Sequence, residues 1–369
     1  MKRLSVLNAV SLVLQLRSAG ALVVSDRAQM AKGRLIDALK SPAGKLTLSP
    51  EVLIPEPSDP TAILLQSSLI TSLSAKMRTH AKANAVFCSG SITALKTFCN
   101  EQEIARGNFP SPLPLIYCDK TDDLLAVVDA GATGIVVAVC DGKEISSPDD
   151  LASDTTWSAT CQEALEKGLQ PIPEITIGQA TAENWQGGEV EAIIAKIAEM
   201  VGEDPASVLI SVNVPPTIES DNDEATSELE TTEEPEIPLP KVSKSVSKRV
   251  PILGSIRSKA GGGRMGEEAA RFKACGFTGA VLRQDCIPQI SMSQDLEYLS
   301  TFWSACIGDL KSTKSKAFEF RSKNNMNKDL GVQWAKYQMD VMQSGALGAE
   351  ESHSAMGGLN TEAGDYKGF

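Results

Sequence analysis

From residue 51 onward, short apolar and β-branched runs alternate with longer stretches of helical period. "EVLIPEPSD" (51–59) and "NAVFCSG" (84–90) read as the first two strands, with the helical "TAILLQSSLITSLSAKMRTHAK" between them. "PLPLIYCD" (112–119) reads as the third strand, followed by "KTDDLLAVVDAG", a helix closed by Gly131. "ATGIVVAVCD" is the fourth; its unbroken Ile-Val-Val-Ala-Val run suits a strand buried on both faces. The next helix, "SPDDLASDTTWSATCQEALEKG", carries acids early, Lys167 late and Gly168 as its stop. Then come "LQPIPEITIG" (fifth strand), "AENWQGGEVEAIIAKIAEMVG" (helix) and "PASVLISVNV" (sixth strand). "VPILGSI" (seventh strand), "GEEAARFKACG" (helix), "FTGAVLRQD" (eighth strand) and a helical stretch from about Gln294 to Phe318 complete the series.

Eight strand–helix units in succession predict a (β/α)8 barrel, a TIM barrel, whose usual size is about 250 residues. An open, doubly wound parallel sheet is the competing α/β arrangement. The predicted division is a presequence over 1–40, a barrel over 41–320, and a C-terminal helix and tail over 321–369. Between strands six and seven the pattern breaks. The span Thr217–Pro240 holds nine acidic residues and no basic one, so 217–249 is expected to be a disordered acidic insert with a short basic segment. Within that segment, "KVSKSVSKR" has the length of a reduced sixth helix.

Composition sharpens the picture at few points. The net charge of −12 falls to −3 once the nine acids of the insert are set aside. Neither value suits a nucleic-acid binder, which needs clustered Lys and Arg. Eight scattered cysteines without a CxxC pair speak against disulfide scaffolds and zinc ribbons, and the two histidines, His80 and His353, leave little for a metal site or a Ser-His-Asp triad. No G-x-G-x-x-G follows the first strand, so no dinucleotide cofactor is expected. The start, "MKRLSVLNAVSLVLQLRSAGA", has a basic head, thirteen mostly apolar residues from Leu4 to Leu16 and an Ala19-Gly20-Ala21 ending. It reads as a signal peptide or an amphipathic helix, too short to span a bilayer. Arg27, Lys32, Arg34 and Lys40 follow it, so 1–40 is similar to the two-part presequences of complex algal plastids; entry to the secretory pathway is the alternative.

In a barrel the chemistry gathers at the C-terminal strand ends. Those positions hold Glu56 and Ser58; Ser89; Cys118, Asp119 and Lys120; Asp141; Glu174; Asn213; Ser255 and Arg257; and Arg283 with Asp285. After the seventh strand, "SKAGGGRMGEEAARF" brings Gly261, Gly262 and Gly263 between Lys259 and Arg264 and ahead of a helix. Glycine backbone N–H groups at such a helix start can hold a phosphate, although Glu267 and Glu268 compete for the same positive end; a plain flexible turn is the other reading.

"LPLIYCD", "GATGIVVAV", "LQPIPEITI", "VLISVN", "VPILGSI" and "CGFTGAVLRQD" resemble, in order and framework, strands three to eight of the indole-3-glycerol phosphate synthase family. The resemblance spans roughly residues 45–310. It implies a carboxy-lyase of tryptophan biosynthesis that binds a sugar-phosphate-like anion. On its motifs Glu174, Asn213 and Glu56 fall on the family's strand-five glutamate, first asparagine and first-strand glutamate. Asp119 is retained from the third-strand motif and Lys120 is displaced by two positions. The phosphate-binding places after strands seven and eight of such barrels hold Ser255, Gly261, Gly262, Gly263, Arg264 and Arg283. The glycine loop is longer than the family's, and Arg283 stands where the family usually has a small residue, either adding charge or filling the site. The family's two catalytic lysine positions read Ser58 and Cys118, and a hydroxyl or thiol does not replace a tuned ammonium as general acid. Two readings therefore stand: an altered lyase, or an inactive barrel that binds or supports something else in a plastid. After the barrel, "NKDLGVQWAKYQMDVM" offers Trp334, Tyr337, Met339 and Met342 either to a protein partner or to the barrel's own bottom.

Overall fold

The computed structural model describes residues 29–40, 45–54, 56, 60–213, 237–258, 264–287 and 295–312. Eight parallel strands close into a ring in chain order: β1 (Thr47–Ile54), β2 (Val86–Gly90), β3 (Leu115–Tyr117), β4 (Gly134–Ala138), β5 (Gln170–Ile177), β6 (Val208–Val212), β7 (Ile252–Ile256) and β8 (Gly279–Leu282). Pairing of Thr47 with Gly279 through Pro50 with Leu282 makes the closure, so the open-sheet alternative falls. The fold is a (β/α)8 barrel.

Helical residues 29–39 (α1) precede the first strand. Around the ring lie α2 (Pro60–Thr79), α3 (Ile92–Ile104), α4 (Leu124–Ala130), α5 (Thr156–Glu166), α6 (Gln179–Asn184), α7 (Gly188–Val201), α8 (Lys244–Arg249), α9 (Arg264–Ala274) and α10 (Leu296–Ser312). The expected reduced helix is α8, where the Ser243 hydroxyl accepts from the Val246 N–H. No helix among the described residues is long and apolar enough to cross a membrane.

Strand periodicity sorts side chains into two cores. Val86, Leu115, Ile135, Ile175, Ile210, Ile252 and Ala280 face outward, into the shell shared with the helices. Phe87, Ile116, Val136, Ile172, Leu209, Leu253 and Val281 form a separate cluster that fills the lumen. Leu35 and Leu39 of α1 belong to that second cluster and are fully buried, so α1 seals the N-terminal end of the ring. The Thr47 hydroxyl donates to Leu39 O (3.1 Å) and Asn84 Nδ2 to Ala38 O (3.1 Å), pinning the plug. A Cβ on Gly134 would sit 2.7 Å from Gln170 O and 3.2 Å from Leu35, so the close approach of plug and strand requires glycine there.

Two expected boundaries move. The sequence pattern puts the end of the presequence at residue 40, yet α1 is barrel core; its apolar period resembles the stretch before it, and only the lumen distinguishes them. The same pattern carries the insert to residue 249, yet Val242 and Val246 are buried in the outer shell and Ile237 and Leu239 pack against it. The core of the acidic insert, 214–236, and the C-terminal extension from 313 lie outside the described residues.

Candidate functional site

The same two-residue period that fills the lumen with hydrocarbon carries polar groups one layer higher. Two positions beyond Phe87, Ile116, Ile172, Leu209, Leu253 and Val281 stand Ser89, Cys118, Glu174, Ser211, Ser255 and Arg283. On β1 the inward residue at this level is Glu51.

Glu51, Glu174, Ser211, Ser255 and Arg283 form one connected network, while the Ser89 hydroxyl accepts from Gln284 Nε2 and the Cys118 thiol faces Ile116 O. Arg283, just past β8, reaches across the barrel: its Nη2 donates to Glu174 Oε1 on β5 and its Nη1 lies 3.5 Å from Glu51 Oε2 on β1. Its Nε donates to Ser255 Oγ at 3.1 Å. The Ser211 hydroxyl donates to Glu174 Oε1 (2.7 Å) and lies 2.8 Å from that of Ser255. Side-chain exposure is 10% for Arg283, 13% for Glu51 and 19% for Glu174, so the triad is shielded from water. Burial pushes the Glu51 carboxyl above its ordinary range, with Arg283 pulling the other way and Glu174 adding to the rise. For Arg283 burial acts to release the proton, but Glu174 and then Glu51 outweigh it, and the guanidinium is held more firmly charged than usual. Burial raises the Cys118 thiol well above its ordinary value, with the Glu51 charge adding to it, so the group stays protonated.

The remaining candidates lie elsewhere. Glu56 is exposed beyond the end of β1. The first-strand acid of the lumen is Glu51; Pro50 reads as a strand boundary in the sequence, but it sits inside β1, which begins at Thr47. Asp119 is turned back onto the scaffold, its Oδ2 accepting from the Gly90 N–H at 2.5 Å. Gly90 has φ +95°, and a Cβ there would meet Ile54 O at 2.1 Å, so this corner depends on glycine. Lys120 points to solvent with 86% of its side chain exposed, 3.0 Å from Asp141 Oδ1, and that hydrogen bond raises its pKa. It does not join the lumen network. Asn213 is exposed at the rim and its Nδ2 donates to Glu144 Oε1 at 2.6 Å. Gly261, Gly262 and Gly263 lie outside the described residues, as does the side chain of Arg264.

Next to that glycine stretch is a residue that the strand-end rule does not reach. Glu268 of α9 is 7% exposed; its Oε2 accepts from the Ser258 hydroxyl (2.6 Å) and the Ser258 N–H (3.2 Å), and the Arg257 N–H also bonds to this carboxylate. Burial raises its pKa against those hydrogen bonds. The backbone donors just past β7, of the kind an anion would use, thus already hold a carboxylate of the chain itself. No cluster of three or more metal-ligating side chains occurs among the described residues.

No protein-family model matches the chain, and no curated protein matches it. Solved structures similar to it include a dihydropteroate synthase from Xanthomonas albilineans, at 15% identity over 71% of this chain and 93% of that one, with a TM-score of 0.33. Another is the (S)-3-O-geranylgeranylglyceryl phosphate synthase of Thermoplasma acidophilum, at 12% identity over 72% and 96%, TM-score 0.35. A third is a Schiff-base-forming fructose-1,6-bisphosphate aldolase, at 12% identity over 76% and 99%, TM-score 0.37. Likenesses of that strength leave the chemistry of this mouth to be argued from its own residues.

Proposed function

We propose that this barrel resembles indole-3-glycerol phosphate synthase in framework but does not carry out the lysine-dependent ring closure, and that it serves as a binding or structural protein. The observation that carries this reading is the Arg283 clamp: the lumen is occupied by a cation already neutralised by Glu51 and Glu174. Ring closure needs an ammonium beside the departing hydroxyl. Arg283 cannot act as that acid, because a guanidinium held by two carboxylates does not give up a proton at neutral pH. The Cys118 thiol has a raised pKa and Lys120 is paired outside with Asp141. A sugar-phosphate-like anion, the ligand class the family resemblance implies, would meet two carboxylates in the lumen and a third, Glu268, on the backbone donors after β7.

Complementation of a tryptophan-requiring strain that lacks the synthase is the test, run beside an active family member and with soluble expression verified. No growth is expected; growth on the unmodified chain would overturn the proposal. The basic and apolar character of residues 1–28 supports delivery to a plastid. A fluorescent fusion of the full chain in an alga with complex plastids is expected to label that compartment, and accumulation in the secretory pathway alone would refute the plastid address.

A further inference from the structure

The described residues hold a second concavity, at the end of the barrel opposite the Arg283 clamp. It is a cleft of about 850 Å³ between the plug α1 and the loops that lead into β2, β3 and β4, walled by Ala31, Ala83, Leu113 and Ala132. That volume lies within the roughly 300–1,000 Å³ of pockets that enclose a ligand or several large side chains. Its charged groups are Arg34, Asp37, Glu103 and Arg106, formally neutral in sum, with Arg106 Nη2 2.7 Å from Glu103 Oε2. Such a balance does not select a charged small molecule. The rim is apolar and open: Met30 is 66% exposed, and the loop between the cleft residues Arg106 and Ser111 carries Phe109, 97% exposed.

The last described helix ends at this same place. Lys311, in the last turn of α10, donates through Nζ to Lys82 O and, at 2.7 Å, to Asn84 Oδ1, and Asn84 lines the cleft. The chain continues for 57 residues beyond Ser312, and they include "NKDLGVQWAKYQMDVM" (327–342). That stretch is neutral, with Lys328 and Lys336 against Asp329 and Asp340, and brings Leu330, Trp334, Tyr337, Met339 and Met342. The 21 residues between Ser312 and Trp334 reach roughly 70 Å when extended, several times the width of such a cleft.

We propose that residues 327–342 of the same chain occupy this cleft, placing Trp334 and its apolar neighbours against Met30, Leu113 and Phe109. The geometry favours an occupant in cis because the tether begins beside the site. A tether of this length sets an effective concentration on the order of millimolar, so even a weak apolar contact is mostly closed. A neutral, aromatic segment matches a neutral cleft with an apolar rim. This inference concerns the face away from the Arg283 clamp and stands whatever that mouth does.

Acrylamide quenching of the full chain tests it. Trp157, Trp185 and Trp303 are 3%, 4% and 0% exposed, so subtracting a Trp334→Phe variant isolates the fourth tryptophan. Trp334 is expected to be shielded several-fold relative to free tryptophan at every protein concentration. Met30→Glu, on the exposed rim, is expected to return it toward the free value, and Phe109→Glu, further out, serves as a second variant. Three outcomes overturn the proposal: quenching like free tryptophan in the unmodified chain; shielding that grows with concentration, which means a second copy is the occupant; or shielding that neither variant changes.

Discussion

Replacing Arg283 by methionine tests the account of the lumen most directly. The change keeps the length and the apolar stem but strands Glu51 and Glu174, which are 13% and 19% exposed, without their shared cation. Removing one partner of a buried ionic group typically costs about 3–5 kcal/mol. The lower end applies here, because Ser211 and the Gln284 N–H still bond to the two carboxylates. For a barrel of this size, about 3 kcal/mol corresponds to a fall in Tm of the order of 10 °C. Urea unfolding at pH 7 measures it, provided the transition is two-state.

The pH dependence supplies a second check whose sign is fixed by the charges. The folded-state pKa of Glu51 is already raised, so its contribution favours the folded chain most at acid pH and is lost as pH rises through the folded value. Without Arg283, which pulls that pKa down, the rise grows. The deficit of Arg283→Met relative to the parent is therefore expected to shrink between pH 7 and about 5, above the ordinary glutamate pKa of about 4.3. The triple variant Glu51→Gln, Glu174→Gln, Arg283→Met carries no lumen charge and is expected within about 1.5 kcal/mol of the parent, since neutral replacement of a whole buried ionic group is often tolerated. An Arg283→Met variant as stable as the parent at pH 7, or a deficit that does not change with pH, would mean that Arg283 does not hold the charge of Glu51 and Glu174 in the lumen.

Three further outcomes follow from the same geometry. Leu39→Ala, in the plug, is expected to cost about 2–5 kcal/mol in urea unfolding; a loss below about 1 kcal/mol would contradict the placement of α1 in the lumen core. Glu268→Ala frees the backbone donors of Arg257 and Ser258, so a thermal-shift series with millimolar phosphate is expected to show stabilisation in that variant and none in the parent. Lys120→Ala is expected to change stability by less than about 1 kcal/mol, because its pair with Asp141 is exposed; a larger loss in urea unfolding would show that Lys120 does more than pair at the surface.

Much of the fold can be read directly from the chain. Alternating runs of β-branched and helical-period residues identify all eight strands in order, because a parallel strand buried on both faces must be almost wholly apolar and such runs stand out. Helix α3 escapes that reading. Its Ser91 cap and the buried Leu95, Phe98 and Cys99 carry a helical period, but Ala94 and Gln102 share that face and the polar run from Asn100 to Glu103 makes the stripe short.

The mouth is legible only by halves. Glu174, Ser255 and Arg283 can be found because strand ends are where a barrel presents polar groups, and they do meet in one network. Glu51, Ser211 and Glu268 escape for different reasons. Counting in twos from the lumen hydrophobics reaches Ser211 and Glu51 once the start of β1 is known, but nothing local marks that start. Glu268 lies on a helix, and its role depends on how far α9 leans toward β7. Which way Lys120 turns, and that α1 belongs to the core and not to a leader, are likewise decided in three dimensions. Sequence determined the succession of elements because periodicity and burial are local demands. Which side chains face one another across the ring depends on register and closure, and those exist only once all eight strands have met.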